Sequence, residues 1–193
     1  MVIEMEKLFA KIDELNEKYL DVLEAVCNIE SPTDYKKGVD DACSYIIKIA
    51  EERGWKVEIS KQEVSGDAVC ITMNADVDAK PFAISGHMDT VHPVGFFGSP
   101  ATRRDEEKMY GPGVTDCKGG VVAGLLAMVA LEETGFRKNP VKLILQTDEE
   151  TSSKGSNKET IKFMCEKAKD AVAFFNMEGM MAGKAVIQRK GII

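Results

Sequence analysis

Side chains able to bind a metal or move a proton recur at one kind of position in this sequence. His87 and Asp89 close the run PFAISGHMD, Asp116 precedes the apolar stretch KGGVVAGLLAMVALEET, Glu149 and Glu150 follow VKLILQ, and Glu178 follows AVAFFNM. Each lies at or just past the carboxyl end of a strand-like run, or at the start of a helical one. In an open α/β sheet those ends face a common crevice, so the side chains can converge there. An imidazole with several carboxylates is the donor mix of a Zn(II)- or Mn(II)-type hydrolytic site. Taken singly, each has an ordinary alternative: His87 and Asp89 as a surface pair, Asp116 as a helix N-cap, and Asp148-Glu149-Glu150 as a solvated loop. Strand periodicity puts His87 and Asp89 on one side, where the acid can orient the imidazole. Three adjacent acids repel one another, and divalent cations relieve that repulsion while giving two of them different tasks. Gly111, Gly113, Gly119 and Gly120 invite comparison with a phosphate loop, but the carboxylate of Asp116 among them would repel phosphate.

The elements that must position these groups follow from periodicity. Met5, Leu8, Ile12, Leu15, Tyr19, Val22 and Val26 alternate steps of three and four, which predicts an amphipathic helix ending near Ile29. After turn residues 30–34, Val39, Cys43, Ile46 and Ala50 repeat the pattern until Gly54 closes a second helix. Short β-branched runs predict strands near 57–59, 68–73 and 81–85. Residues 118–134 are apolar on nearly every side, as expected of a helix buried against a sheet. VKLILQ and AVAFFN have the continuous apolarity of parallel strands covered on both faces. Between them Ser156 and Glu159 have capping-box spacing. This alternation predicts an α/β fold, with three layers and a central, mostly parallel sheet flanked by helices.

The 193 residues carry a net charge of -7, with 44% hydrophobic and 30% charged residues. This composition fits one globular domain and argues against nucleic acid as a partner, because neutralising phosphates needs a basic surface. The N-terminal stretch MVIEMEKLFAKIDEL is interrupted by acids, so neither a signal peptide nor a membrane span is expected there, and the expected location is cytoplasmic. Cys27, Cys43, Cys70, Cys117 and Cys165 are odd in number and lack C-x-x-C spacing. They read as reduced thiols, none spaced as a zinc ligand.

On SGHMDTVHPVG, YGPGVTDCKGG, TDEETSSKGS and FNMEG, in that order, with VCNIESPT before them, the chain resembles the peptidase M20 family. That family includes glutamate carboxypeptidase, acetylornithine deacetylase and succinyl-diaminopimelate desuccinylase, and the glutamate carboxypeptidase branch is the nearest in motif. The resemblance implies a zinc-peptidase-like fold and hydrolysis of an amide or peptide bond in a small peptide or N-acyl amino acid. It implies two divalent cations, Zn2+ foremost with Co2+ or Mn2+ as alternatives, and a water activated between them. Residue by residue, it makes His87 a ligand of one metal, Asp116 the bridging carboxylate, Glu150 a ligand of the second metal and Glu178 a further ligand of the first. Asp89 becomes the orienting acid and Glu149 the general base. Cys117 stands where many relatives carry Met, and reads as a small buried residue beside the site.

Relatives of this type are longer. A smaller lid or dimerisation domain follows a segment like QRKGII, and a C-terminal segment supplies a second ligand His. The expectation is that residues 1–193 are the N-terminal segment of the catalytic domain, truncated before both, with an incomplete site, little activity and a tendency to homo-oligomerise. Only His87 and His92 are present, and His92 is a weak candidate for the missing ligand. The competing reading is a non-catalytic protein that keeps the fold to bind metal or a partner. A free base at Glu149 favours the enzyme.

Overall fold

The computed structural model describes residues 5–179 and 186–187. The QRKGII segment therefore lies outside the described residues. Helix α1 (Met5–Asn28) and helix α2 (Lys36–Glu52) open the chain. Of the α1 stripe, Leu15, Tyr19, Val22 and Val26 are buried, whereas Met5 in the first turn is exposed. All four expected positions of α2, Val39, Cys43, Ile46 and Ala50, are buried. Gly54 ends α2 at φ +71°, with its N–H donating to Glu51 O at 2.9 Å and that of Trp55 to Ala50 O at 3.0 Å. Only glycine takes that left-handed turn at no steric cost.

The sheet is built from β1 (Lys56–Ser60), β2 (Ala68–Met73), β3 (Phe82–His87), β6 (Val141–Gln146) and β7 (Ala173–Asn176), in the order β1-β2-β6-β3-β7. A separate hairpin pairs β4 (Arg103–Arg104) with β5 (Met109–Tyr110). Strand β3 is parallel to both β6 and β7, while β2 is antiparallel to β1 and to β6. Four strands thus share one direction and β2 alone opposes them, so the sheet is mixed and mostly parallel. The expected α/β class holds.

Period-two alternation sorts side chains between two cores of unequal size. Val69, Ile71 and Met73 of β2, Ile84 of β3, and Val141, Leu143 and Leu145 of β6 face the larger core. There they meet α1, α2 and α3 (Lys118–Glu133). Cys70, Ala83 and Ile144 point the other way, against Phe163 and Met164 of α4 (Glu159–Ala168). This gives three layers, helix–sheet–helix. Helix α3 presses so close to the sheet that a Cβ on Gly120 would collide with the carbonyl oxygen of Met177. That contact fixes the segment just beyond β7 relative to the start of α3.

The expected capping box at Ser156 and Glu159 does not form. Asn157 and Lys158 adopt positive φ (52° and 68°), so the helix starts only at Glu159, whose carboxylate accepts from Lys162 Nζ at 2.5 Å. Ser156 Oγ instead receives the Thr160 N–H at 3.4 Å.

Candidate metal centre

Parallel pairing brings the candidate residues together. In register, His87 of β3 lies opposite Gln146 of β6, and Ser85 opposite Asn176 of β7. The three neighbouring strands therefore end at one edge, from which Glu149, Glu150 and Glu178 continue. The loop into α3 brings Asp116 to the same edge. His87 Nε2 is 2.8 Å from Asp116 Oδ1, 3.7 Å from Glu178 Oε1 and 4.0 Å from Glu149 Oε2. Ligand atoms of His87, Asp116 and Glu150 lie within 4.8 Å of one another, and so do those of His87, Cys117 and Glu178. Asp116 is not an N-cap: Cys117 occupies that position, with no side-chain capping bond.

His87 is 1% exposed and Asp89 is fully buried. The nearest Asp89 acceptor for His87 Nδ1 is its main-chain oxygen at 3.0 Å, with carboxylate Oδ1 at 3.4 Å. The expected side-by-side pair is thus modified, because the strand ends at His87 and Asp89 already belongs to the turn beyond. Its carboxylate is also a hub: Oδ1 accepts the Glu149 N–H at 3.1 Å, while Oδ2 accepts the Glu150 N–H at 3.2 Å and the Thr33 hydroxyl at 2.7 Å. One buried anion therefore ties the turn after β3, the turn after α1 and the start of the short 3-10 helix Glu149–Thr151.

The electrostatics follow from this crowding. Burial opposes charge on His87, but hydrogen bonding to the Asp89 and Cys117 side chains pushes its pKa up to about 12. Burial would likewise raise Asp89, yet His87, Thr33 and the Glu150 amide hold it below the usual carboxylate range. Glu150 is raised by burial and by the charge of Asp116; Glu178 is raised by burial and by Asp116 and Glu149, against the pull of His87. Burial also pushes the Cys117 thiol up. Several carboxylates thus compete for one imidazole, and a bound cation would relieve that competition. The mixed nitrogen and oxygen donors suit zinc.

His92 does not join this group. Its ring packs on Phe96 and Phe97 at centroid distances of 5.2 and 4.8 Å, and it belongs to neither ligand set among the described residues. Sequence reasoning missed Thr33, which lies in plain turn chemistry 56 residues before its partner. It also missed Lys118, whose buried ammonium donates to Val26 O at 3.1 Å and Ile29 O at 2.8 Å. These bonds clamp the end of α1 to the start of α3. A lysine flanked by Cys117 and Gly119 was a signal of sorts, since an N-terminal helix position disfavours a cation and so hints at another partner. The five cysteines are free, as expected, and only Cys165 is exposed. Among the described residues, no helix is long and apolar enough to cross a membrane.

Comparison with known proteins places this geometry. The chain is 32% identical over 137 residues to carboxypeptidase G2 from a Pseudomonas species, an alignment that covers 69% of this chain and 33% of that protein. In fold it is similar to human carnosine dipeptidase 1 (TM-score 0.75, 17% identity, 94% of this chain and 42% of the other). It is similar also to an M20 family metallo-carboxypeptidase from Sulfolobus solfataricus (TM-score 0.64, 22% identity, 82% and 37%). The chain spans about a third of the length of the curated relatives it matches. The model of peptidase family M20/M25/M40 matches residues 83–189, a span that takes in His87, Asp89, Asp116, Glu149, Glu150 and Glu178. With more than half of the sequence matched and the strand ends meeting at one edge, the chain belongs to peptidase family M20/M25/M40.

Proposed function

We propose that residues 1–193 form the N-terminal segment of the catalytic domain of a metal-dependent hydrolase. Its reaction is cleavage of an amide or peptide bond in a small peptide or N-acyl amino acid, as a carboxypeptidase or deacylase. A smaller lid domain and a C-terminal catalytic segment would belong to the longer protein. The observation that carries this reading is Glu149: its carboxylate reaches within 4.0 Å of His87 Nε2 yet belongs to neither ligand group among the described residues. A pure binding site has no use for an uncommitted carboxylate at that position.

In this reading His87, Asp116, Glu150 and Glu178 hold two divalent cations, with zinc favoured by the donor set. Such cations supply a lowered water pKa and a polarised scissile carbonyl. Glu149 accepts the proton of the attacking water and returns it to the leaving nitrogen, so that water and amide become acid and amine. Glu149 is suited to this because its backbone is pinned to Asp89 while its side chain is 47% exposed, within reach of substrate. Asp89 acts as a positioning residue through His87 and the two amides. The cleft beside the site, lined by Gln146, Met164, Phe174 and Asn176, offers mixed polar and apolar walls to a substrate.

The test is metal content and turnover of the intact protein. Glu149→Gln should keep zinc near wild-type level and lose about 100-fold or more of the rate, whereas His87→Ala should lose zinc. Equal zinc loss in both variants would make Glu149 a ligand and refute the assignment.

A further inference from the structure

One side chain at this edge that carries a possible metal donor has no task in the reaction above. Cys117 is fully buried, but its sulfur is not surrounded by hydrocarbon alone. The main-chain His87 N–H donates to Cys117 Sγ at 3.0 Å, and the Cys117 thiol donates to the His87 carbonyl oxygen at 3.6 Å. Its position between Asp116 and α3 turns it toward the end of β3, where Sγ, a His87 ring nitrogen and a Glu178 oxygen are mutually within 4.8 Å. Among the described residues, Cys117 is the one cysteine that belongs to such a group. The absence of C-x-x-C spacing concerns neighbours in sequence only, whereas this grouping is made across the fold.

We propose that Cys117 is itself a metal ligand, joining His87 and Glu178 around one cation to give a sulfur, nitrogen and oxygen donor set. This rests on the metal reading of the site given above and adds a ligand to it. On binding, the S–H bond breaks, its electron pair forms the sulfur–metal bond, and the proton passes to buffer; no electron is transferred. A thiolate shifts preference toward thiophilic ions such as Zn2+, Co2+ and Cd2+ and away from Mn2+ and Mg2+.

The experiment is cobalt titration of the chain carrying Cys165→Ser, which removes the exposed thiol, followed by near-ultraviolet and visible spectroscopy. The expected result is a thiolate-to-cobalt charge-transfer band rising with the visible cobalt bands. In Cys117→Ser the charge-transfer band should vanish while the visible bands persist. Cobalt affinity should fall by more than the roughly 10- to 100-fold cost of losing a residue that only orients a ligand. X-ray absorption of the zinc-loaded, unsubstituted chain should show sulfur in the coordination sphere, a readout that does not depend on a variant folding. Cobalt bound with visible bands but no charge-transfer band, a band that survives Cys117→Ser, or a zinc sphere without sulfur overturns the assignment of Cys117 and leaves the metal site standing. Failure of the unsubstituted chain to bind cobalt or zinc at all overturns both.

Discussion

Replacing Asp89 by Asn tests whether one buried carboxylate organises the edge. The carboxylate accepts the Thr33 hydroxyl and the Glu149 and Glu150 amides, and its Oδ1 faces His87 Nδ1 at 3.4 Å. Asn offers one oxygen and one NH2. With NH2 at the Oδ2 position the Thr33 hydroxyl can turn to accept, but the Glu150 N–H then faces a donor. With NH2 at Oδ1 the Glu149 N–H and the imidazole face it instead. Either way at least one part-buried amide loses its acceptor and the remaining bonds lose their charge. Hydrogen bonds to charged groups contribute about 1.5–3 kcal/mol each, and an orphaned buried donor costs about 1–3 kcal/mol. The expected loss is therefore about 3 kcal/mol, measured by urea unfolding in the presence of chelator. Zinc affinity, measured by calorimetry, should fall about 10- to 100-fold, the usual cost of losing a ligand-orienting partner. Thr33→Val, which removes one acceptor–donor pair, should cost about 1 kcal/mol and be non-additive with Asp89→Asn because the two share a bond. The pH dependence has a defined sign. Asp89 is depressed in the folded state, so its contribution is full above the ordinary aspartate value of about 3.9 and is lost as pH falls through the folded value. Stability within about 0.5 kcal/mol of wild type, or a destabilised variant that binds zinc as tightly as wild type, would refute the hub.

Other consequences can be checked directly. Burial depresses Lys118 from 10.5 to about 8, so the unfolded chain binds more protons between those values and stability should rise with pH there, by about 3 kcal/mol in all. Lys118→Met should lack the rise, so that it appears in the difference between wild type and variant, followed by urea unfolding from pH 7 to 10.5. Gly120→Ala drives a methyl into the Met177 carbonyl and should cost about 1–3 kcal/mol while weakening zinc binding, because Glu178 is displaced; calorimetry and thermal melts read both. Strand β7 pairs only with β3 among the described residues, and Phe174 and Phe175 are 47% and 51% exposed. The isolated chain should therefore self-associate in sedimentation velocity, and Phe174→Lys with Phe175→Lys should shift it toward monomer.

The sequence by itself determined the two opening helices, the buried helix α3 and the main strands, because each is written in local periodicity. The helical spacing of Val39, Cys43, Ile46 and Ala50 and the continuous apolar run of β6 need no distant partner to be read. AVAFFN, expected to be covered on both faces, instead forms β7 with Phe174 and Phe175 exposed, because among the described residues it pairs with β3 alone. The sequence also pointed to His87, Asp116, Glu149, Glu150 and Glu178, since in a parallel sheet residues just past strand ends must share an edge. Tertiary structure alone decided the strand order, the reversal of β2 and the start of α4, which waits on the left-handed Asn157 and Lys158. It decided too that Asp89 binds Thr33 and two glutamate amides, that Lys118 clamps the end of α1, and that Cys117 touches His87. The physical reason is sequence separation: Thr33 and Asp89 lie 56 residues apart, Lys118 and Val26 lie 92 apart, and His87 and Cys117 lie 30 apart. Such contacts carry no local signature, and they exist only once the sheet has set its register and the helices have packed against it.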